Sequence, residues 1–578
     1  MKLINYYIFF LMVGISSSSF GQGMIISSGA NVIGSSGNLI LTGNWANNGT
    51  FTHTGGTLTF AGNTQTLGGT SQALFNNITI SSGSTTTINT AGQTLQGILL
   101  CNGTLNATGN ITLLSTASRT ALIDGSGTGP VNGNVTMQRY LPSGFGYKYF
   151  SSPFQAATVS EFGDDMNLSA SFPTFYGYDE NRVSAGWVIY TNPAGVLNPM
   201  HGYAVNFGSS AAVNTADVTG IVNNGSLSLT LYNNNNIYTK GFNLVGNPYP
   251  SPIDWDAPAG WTKTNIDNAV YYFKASTTDQ YGGTYSTYID GISSDGLATN
   301  IIPSMQGFFV HVTDDTWPVT GTLALNNSVR VTDLTHSFIK SDGASSRPLL
   351  RLTAGFSDDP ASADPMVIYF DEKASVDFDS KLDALKLMNT DLKVPNLYAV
   401  GSDGAKLSIS ALPFNSDTLC KVPLGLKIYK DGYIIFKIRD IEEKLSETGI
   451  FFSDIVAGTE QDLLPDKEYK LYLSAGEYKN RFFLNLASVP TDIPDVLPDN
   501  ELFTIYSSHG ILKAEINSLP GEDGTLMIYN LTGQTIFMKR VYEPGYHEFN
   551  PGINEGIYIV SYISGTKRSS KKIFIQNR

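Results

Sequence analysis

Residues 525–538 read TLMIYNLTGQTIFM, and this stretch decides the fold class. The run Thr525–Leu531 alternates with a period of two residues, which is the pattern of a half-buried β-strand. Residues 532–534 then form a tight-turn pattern, and Gln534–Met538 leads out of the turn as a second strand. The stretch therefore predicts a β-hairpin.

The rest of the last eighty residues continues this pattern. Gly556–Tyr562 and Lys571–Ile575 are further runs with strand character, and turn residues separate them. We therefore predict that residues 501–578 form a compact, seven-strand, Ig-like sandwich.

Three short motifs in this segment resemble the type A C-terminal sorting domain of the Bacteroidetes type IX secretion system. They are Ile528–Gln534, Gly556–Tyr558 and Lys571–Ile575, and their order and distance from the C-terminus agree with that family. One departure is Tyr506–Gly510, where family members commonly have Tyr-Pro-Asn-Pro, and we interpret it as a variant of the first hairpin. The resemblance implies that the sorting motif comprises Tyr529, Gly533, Gly556, Tyr558, Lys571 and Lys572.

The resemblance also implies an export route. The sorting domain is expected to be read by the outer-membrane secretion machinery and then removed. The remaining protein is expected to be secreted or attached to surface lipopolysaccharide.

Upstream of this domain, residues 491–500 are rich in Pro and Asp, which predicts a linker. Residues 331–490 contain alternating runs such as Met366–Phe370 and Tyr433–Phe436, which predict an antiparallel β-sandwich. The helix-like run Ser380–Met388 is too short to change this class.

Residues 141–330 contain an internal duplication. Gly144–Pro153 corresponds to Gly241–Pro248, and Asn198–Phe207 corresponds to Pro303–Val312. We predict two β-sandwich copies of about 100 residues each.

One glycine recurs at the same place in both copies. Gly202 and Gly307 each precede an alternating strand, where they are expected to form a bulge or adopt a positive φ. The second copy resembles a segment common in large secreted proteins of the Bacteroidetes type.

Residues 23–140 are rich in Gly, Asn and Thr and contain short β-type runs about 18 to 22 residues apart, which suits one coil of a solenoid. We predict an irregular β-solenoid that resembles the β-helical repeats of bacterial surface adhesins. The runs are Leu39–Thr42, Thr57–Phe60, Ile78–Ile80, Ile98–Leu100, Ile111–Leu114, Ala121–Ile123 and Val135–Met137.

Residues 1–22 have the layout of a secretory signal peptide. Lys2 is followed by the apolar run Tyr6–Ile15 and by a small polar segment that predicts cleavage near Gly21 and Gln22. No later stretch reaches 18 apolar residues, so no transmembrane segment is predicted.

Composition excludes several classes of protein. The chain has 35 Lys+Arg and 49 Asp+Glu, a net charge of −14, which argues against nucleic-acid binding. Cys101 and Cys420 are too few for a disulfide framework or a cysteine-based zinc site. We interpret both cysteines as small buried residues.

Residues 23–143 contain one acidic residue, Asp124, and two basic ones, Arg119 and Arg139. Catalysis by a carboxylate pair is therefore not expected in this segment.

Elsewhere, the candidate chemistry is sparse. The six histidines show no metal-ligand spacing, and we expect them at the surface or at strand ends. Trp187, Trp255, Trp261 and Trp317 are candidates for a sugar-stacking platform, although core packing explains most of them better. Acidic loops are candidate calcium ligands, with solvated loop acids as the alternative, at Asp254, Asp256, Asp290, Asp295, Asp377 and Asp379.

The sequence thus predicts an all-β, secreted or outer-membrane-attached cell-surface protein with a structural or adhesive, non-enzymatic role and no cofactor beyond a candidate calcium ion. Its expected partners are the type IX secretion machinery and either lipopolysaccharide or an extracellular glycan. The alternative is a carbohydrate-binding or carbohydrate-active module in residues 144–490, in which Asp254 and Asp256 would act.

Overall fold

The computed structural model describes residues 19–335, 347–413, 420–442, 449–463, 467–487, 503–508, 511–516, 524–564 and 567–575. Regular structure in these residues consists of β-strands and two 3-10 turns, Val159–Phe162 and Asn327–Val329, so the all-β prediction is confirmed. No helix in this part of the chain is long and apolar enough to cross a membrane. The predicted linker and the signal-peptide residues 1–18 lie outside the described residues.

The chain forms two compact units, Met1–Val489 and Pro490–Arg578. The first unit begins with eighteen short strands: β1 (Ser19–Gly21), β2 (Met24–Ile26), β3 (Asn31–Gly34), β4 (Leu39–Leu41), β5 (Trp45–Asn47), β6 (Thr50–His53), β7 (Thr57–Phe60), β8 (Thr64–Gly69), β9 (Ala73–Phe75), β10 (Asn77–Ile80), β11 (Thr85–Ile88), β12 (Gln93–Leu95), β13 (Ile98–Cys101), β14 (Thr104–Asn106), β15 (Ile111–Leu113), β16 (Leu122–Ile123), β17 (Val131–Asn132) and β18 (Asn134–Leu141).

These strands form a three-faced parallel solenoid, which confirms the predicted architecture. Every third strand belongs to the same sheet, so that one face contains β1, β4, β7, β10, β13 and β16. Consecutive coils pair in register, and one buried column runs through Leu58, Ile78, Leu99 and Ile123. Stacked apolar side chains of this kind form the solenoid core.

Polar side chains also occupy interior positions of the coils. Gln65 is fully buried and joins neighbouring coils, because its amide donates to the carbonyls of Leu41 and Gly43 and accepts from the Gly62 N–H. Gln93 is buried in the same way and accepts from the Ala73 N–H. These residues satisfy backbone groups that the solenoid would otherwise bury without a partner.

The next sixteen strands lie in β-sheets that follow the solenoid directly: β19 (Tyr147–Phe150), β20 (Phe154–Gln155), β21 (Phe175–Tyr178), β22 (Trp187–Ile189), β23 (Tyr203–Asn206), β24 (Asn214–Val222), β25 (Leu227–Asn233), β26 (Phe242–Gly246), β27 (Ile253–Asp254), β28 (Trp261–Thr264), β29 (Val270–Ala275), β30 (Gly283–Ile289), β31 (Ile292–Ser293), β32 (Ile301–Ile302), β33 (Gly307–His311) and β34 (Val319–Leu325). Strand β24 pairs antiparallel with β18 along the whole length of β18, so that a solenoid face continues into this region.

The two sequence copies have corresponding strand pairs. In the first copy β19 pairs antiparallel with β23, and in the second β26 pairs antiparallel with β33. The copies also contact each other reciprocally, through bridges from Phe150 to Gln306 and from His201 to Val245. The duplicated motifs therefore form one pseudo-symmetric junction between the copies.

Gly202 and Gly307 leave room for backbone of the opposite copy, and neither has a positive φ. The positive φ angles belong to Met200 and Met305, two residues earlier in each copy. A Cβ on Gly202 would lie 2.6 Å from the Val245 carbonyl oxygen, and one on Gly307 would lie 2.8 Å from that of Phe150. Of the two predicted alternatives, a bulge or a positive φ, the positive φ is wrong, and the backbone of the opposite copy is what excludes a side chain.

Eleven described strands follow: β35 (Leu349–Phe356), β36 (Asp364–Phe370), β37 (Ala384–Leu385), β38 (Asn396–Val400), β39 (Lys406–Leu412), β40 (Cys420–Ile428), β41 (Gly432–Ile441), β42 (Gly449–Asp454), β43 (Thr459–Asp462), β44 (Glu468–Leu473) and β45 (Gly476–Ala487). They form one sheet that folds over itself, because Phe436 of β41 and Phe452 of β42, from opposite ends of the strand order, lie 4.5 Å apart between ring centroids. The run Ser380–Met388 is not helical, since it contains β37.

The C-terminal unit has seven described strands: β46 (Phe503–Ser508), β47 (Ile511–Ile516), β48 (Gly524–Tyr529), β49 (Thr535–Val541), β50 (Gly545–Phe549), β51 (Gly556–Ser564) and β52 (Lys567–Ile575). They form a three-stranded sheet, β46-β47-β50, and a four-stranded sheet, β49-β48-β51-β52. A single core that includes Phe503, Leu526 and Tyr562 lies between the sheets. Strands β46 and β47 pair antiparallel, from Phe503 opposite Ile516 to Ser508 opposite Ile511.

Candidate functional site

The predicted sorting motif begins at the turn between β48 and β49. Asn530 organises this turn, because its side-chain oxygen accepts hydrogen bonds from the backbone N–H groups of Thr532 and Gln534. Gly533 has a φ of +80°, and its N–H donates to the Asn530 carbonyl. This φ explains the glycine, since other residues adopt it only with strain. Tyr529 ends β48, beside the turn.

Gly556 and Tyr558 lie on β51, which pairs with β48, and Lys571 and Lys572 lie on β52, which pairs with β51. Gly556 begins β51, and the Tyr558 hydroxyl donates to the Asn554 carbonyl, 2.8 Å away. In β52, Lys571 pairs with Val560 and Lys572 pairs with Ile559. The four-stranded sheet and its first turn thus bring together all six predicted motif residues.

The predicted signal-peptide cleavage point lies at the edge of the solenoid. Ser19–Gly21 forms β1, which pairs in parallel with Leu39–Leu41, and Gln22 follows it. Cleavage near Gly21 and Gln22 would remove β1 and leave the edge of β4 without this neighbour.

Asp254 and Asp256, the candidate acids of the alternative function, already have protein partners. The Asp254 carboxylate accepts from the Asn300 amide at 2.7 Å, and the Asp256 carboxylate accepts from the Tyr288 hydroxyl. Burial raises the pKa of Asp256, and burial lowers the pKa of the neighbouring Lys263 to about 8. The Lys263 ammonium lies 3.6 Å from the Trp255 ring centroid and donates to the Trp255 carbonyl.

The other candidate acids are distributed among separate contacts. Asp295 is buried, and its carboxylate accepts from the Ser286 and Ser293 hydroxyls. Asp290 pairs with Arg347, whereas Asp377 accepts from the Ser402 hydroxyl. Asp379 accepts from the Lys381 N–H.

Within the described ranges, no three Asp, Glu, His or Cys residues are grouped closely enough to hold a metal ion. Calcium binding therefore stays a prediction.

Two of the described histidines lie at strand ends, which agrees with the expectation of surface or strand-end positions. His53 and His311 are buried, although each ends a strand. The two His311 ring nitrogens contact the Asp267 carboxylate at 2.6 Å and the Lys240 carbonyl at 3.0 Å. This arrangement fixes the imidazole ring inside the core. His336 and His509 lie outside the described residues.

The tryptophans do not form a common platform. Trp255 is fully buried and packs edge-on against Trp261, with ring centroids 4.9 Å apart. Trp187 packs with Tyr178, and Trp317 is exposed elsewhere. Core packing therefore accounts for most of them, as expected.

Cys101 is buried and Cys420 is half-buried, and both are free. Burial raises the pKa of Cys101 to about 11, which keeps this thiol protonated and unreactive.

The structure brings together, around one cavity, residues whose proximity the sequence did not indicate. A cavity of about 430 Å³ lies between the end of the solenoid and the following sheets, and both solenoid arginines, Arg119 and Arg139, line it. Arg139 is buried and donates to the Ser304 carbonyl. Within the described chain, the buried Ser304 hydroxyl has no hydrogen-bond partner. The scarcity of charge in the solenoid was the sequence feature that pointed to these arginines.

The fold defines a class of protein with a parallel β-solenoid, duplicated antiparallel sheets and a further curled sheet, followed by a separate seven-strand sandwich. Residues 34–486 match the family described as Domain of unknown function (DUF8693), and the chain belongs to this family. The C-terminal unit lies beyond that match. No curated protein matches the chain.

Proposed function

We propose that this protein is exported to the cell surface by the type IX secretion system, which reads its C-terminal unit, and that its solenoid and sheets then have a structural or adhesive role without catalysis. The observation that carries the proposal is the position of the six motif residues. They lie on one sheet and its first turn, in a unit that is compact by itself and lies outside the family match.

The solenoid supports the non-catalytic part of this proposal. Its outward strand positions carry rows of uncharged side chains, and Thr64, Thr85 and Thr104 pair in register across three coils. Regular polar rows without ionisable groups suit adhesion to a repetitive surface, whereas acid–base catalysis needs titratable groups. We further propose that the exported protein is either released or attached to surface lipopolysaccharide.

Deletion of residues 499–578 tests the export route. The truncated protein is expected to fold, because the first unit has its own cores, and to remain in the periplasm. Immunoblots of the periplasmic, surface and medium fractions measure its location. Appearance of the truncated protein outside the cell in the same proportion as the full chain would contradict the proposal.

A second candidate function is binding of an acidic sugar, and the cavity lined by Arg119 and Arg139 favours it. Guanidinium groups bind carboxylates with paired hydrogen bonds, and the unpartnered Ser304 hydroxyl adds a donor for a sugar oxygen. Pro142, Pro252 and other apolar residues of the lining supply a wall for the sugar ring. The lining also contains one acidic residue, Asp333, so the two arginines leave it with a net positive charge.

Calorimetric titration with galacturonate, and with galactose as the uncharged control, tests this second function. We expect binding of galacturonate that Arg119→Gln abolishes. The exposed Arg182→Gln serves as the matched control and should leave binding intact. Equal heats for the two sugars would refute the carboxylate site.

A further inference from the structure

One face of the C-terminal unit is apolar although it lies at the surface. On the four-stranded sheet, Ile528 and Val560 point into the core, so their strand neighbours Met527, Tyr529 and Ile559 point outward. The strand register places residues of the neighbouring strands β49 and β52 on the same outer surface. We call it the apolar face, and it comprises Met527, Tyr529, Met538, Ile557, Ile559 and Phe574.

The exposure of these side chains is large for aliphatic and aromatic residues. Met538 is 60% exposed, Phe574 54%, and Ile557 and Ile559 40% each. Ile557 pairs with Phe574, Met527 with Met538, and Tyr529 with Ile559, so the residues are neighbours across strands and not scattered singly. Contiguous exposed apolar residues of this kind mark interaction surfaces.

The charge on this sheet has a single sign. The sequences of its four strands contain six Lys or Arg residues and no Asp or Glu, although residues 499–578 have no net charge. Lys572 lies opposite Ile559, and Arg540 lies opposite Thr525, so both are on the same side of the sheet as the apolar face. The three-stranded sheet differs, since Lys513 pairs there with Glu548 at 3.3 Å.

This charge pattern indicates which kind of partner the apolar face can bind. A second copy of the chain would place basic groups against basic groups in a symmetric contact, which is repulsive. Met, aromatic residues and Arg are the side chains enriched in the centres of protein interfaces. A protein surface with an apolar centre and a carboxylate rim is therefore the complementary partner.

We propose that the apolar face docks a protein component of the export machinery, and that this component presents an apolar patch rimmed by Asp and Glu. The inference rests on the proposed function, because it assigns the recognition step of that export to one side of one sheet. Lys572, a predicted motif residue, contributes a rim charge, whereas Gly533 and Gly556 shape the sheet.

Export of face variants of the full chain tests this inference. Ile559→Thr combined with Phe574→Thr keeps β-forming residues but removes two apolar contacts, and Lys572→Glu reverses a rim charge. Each lost interface anchor is expected to weaken docking by about tenfold, so folded protein should accumulate in the periplasm. Tyr506→Thr combined with Tyr546→Thr, on the other sheet, is the matched control, since both tyrosines are 54% exposed.

Photo-crosslinking identifies what the face contacts. A benzoylphenylalanine at position 559 of the full chain should give an adduct with an outer-membrane export component, and one at position 546 should not. The purified variants should keep the wild-type thermal transition, which separates loss of docking from loss of folding.

Three results would overturn the inference. The first is wild-type export of the folded Ile559→Thr/Phe574→Thr chain. The second is an equal adduct at position 546. The third is binding of the full chain to phosphatidylglycerol vesicles that disappears with the face variants, which would assign the face to a lipid surface. Retained export of the 499–578 deletion would instead refute the proposed function itself, so the two failures are distinguishable.

Discussion

Among the described glycines of the C-terminal unit, Gly524 has the least room for a side chain, and a methyl group there is predicted to destabilise this unit alone. A Cβ on Gly524 would overlap the Tyr562 hydroxyl and lie 2.6 Å from Tyr562 Cε2. Tyr562 is fully buried between the two sheets and has little room to move. Gly524→Ala therefore forces a shift of the ring or of β48.

The size of this effect follows from the geometry. Overpacking of a well-filled core costs about 1–3 kcal/mol, and each 1.4 kcal/mol is about a tenfold change in the population of the opened state. Tyr562→Phe removes the overlapping hydroxyl, which has no hydrogen-bond partner within the described part of the unit, but leaves the ring carbons in place. We therefore expect Tyr562→Leu to recover more of the stability lost in Gly524→Ala than Tyr562→Phe does.

The assay uses the distribution of tryptophan. All five tryptophans lie in the first unit, at positions 45, 187, 255, 261 and 317, so tryptophan fluorescence of the full chain reports that unit alone. Gly524→Ala should leave its urea transition unchanged. Hydrogen exchange of peptides from 524–564 should become about 5- to 150-fold faster. Unchanged exchange in these peptides would refute the packing argument.

Two further predictions concern the first unit. Gln65→Leu removes three hydrogen bonds of the buried amide, two of which join its coil to the preceding one. The change should cost about 2–6 kcal/mol, because the Gly62 N–H and the Gly43 carbonyl lose this partner. Hydrogen exchange over residues 57–69 measures the loss, and equal protection in Gln65→Leu and the outward-facing control Thr66→Leu would contradict it. The pKa of Lys263 should be about 8 in the folded protein, against about 10.4 in the unfolded chain. Between these two pH values the unfolded state binds more protons, so this group makes stability rise with pH across that window. NMR of methylated lysine, with Lys263→Met for assignment, measures the pKa, and a midpoint near 10.4 would contradict burial of the ammonium.

The solenoid shows what alternation of apolar and polar residues can and cannot reveal. Thr57–Phe60 was recognisable as a strand because Leu58 and Phe60 are apolar and point inward. Thr85–Ile88 was not, because Thr86 points inward and polar residues then occupy both faces. The sequence therefore predicted one sheet of the solenoid well, while most strands of the other two sheets depended on contacts between coils.

The duplication was visible in the sequence, but the reason for its glycines was not. Gly202 and Gly307 are small because each faces the backbone of the other copy, which is a contact between segments about 100 residues apart. Sequence patterns report local conformation. They therefore suggested a bulge or a positive φ at these glycines, whereas the actual constraint is the contact with the other copy. The burial of His311 beside Asp267 depends on a contact of the same non-local kind.

The predicted motif residues illustrate a third case. Order and spacing along the chain placed Gly533 in a turn and Lys572 on a strand. The apolar face was hidden in the sequence, because a run such as Gly556–Tyr562 is apolar on both sides and does not reveal which side is covered. Only the pairing of β51 with β48 and β52 shows that Ile557 and Ile559 are exposed.

The most direct test of the account transfers the C-terminal unit to another protein. Residues 490–578 are fused behind a signal peptide and a monomeric periplasmic reporter in a cell that has the type IX machinery, and the reporter fraction outside the cell is measured. We predict that the fusion reaches the surface or the medium and that the same fusion with Ile559→Thr and Phe574→Thr stays in the periplasm. Retention of the unaltered fusion in the periplasm, with its C-terminal unit folded, would contradict the central claim that this unit directs export.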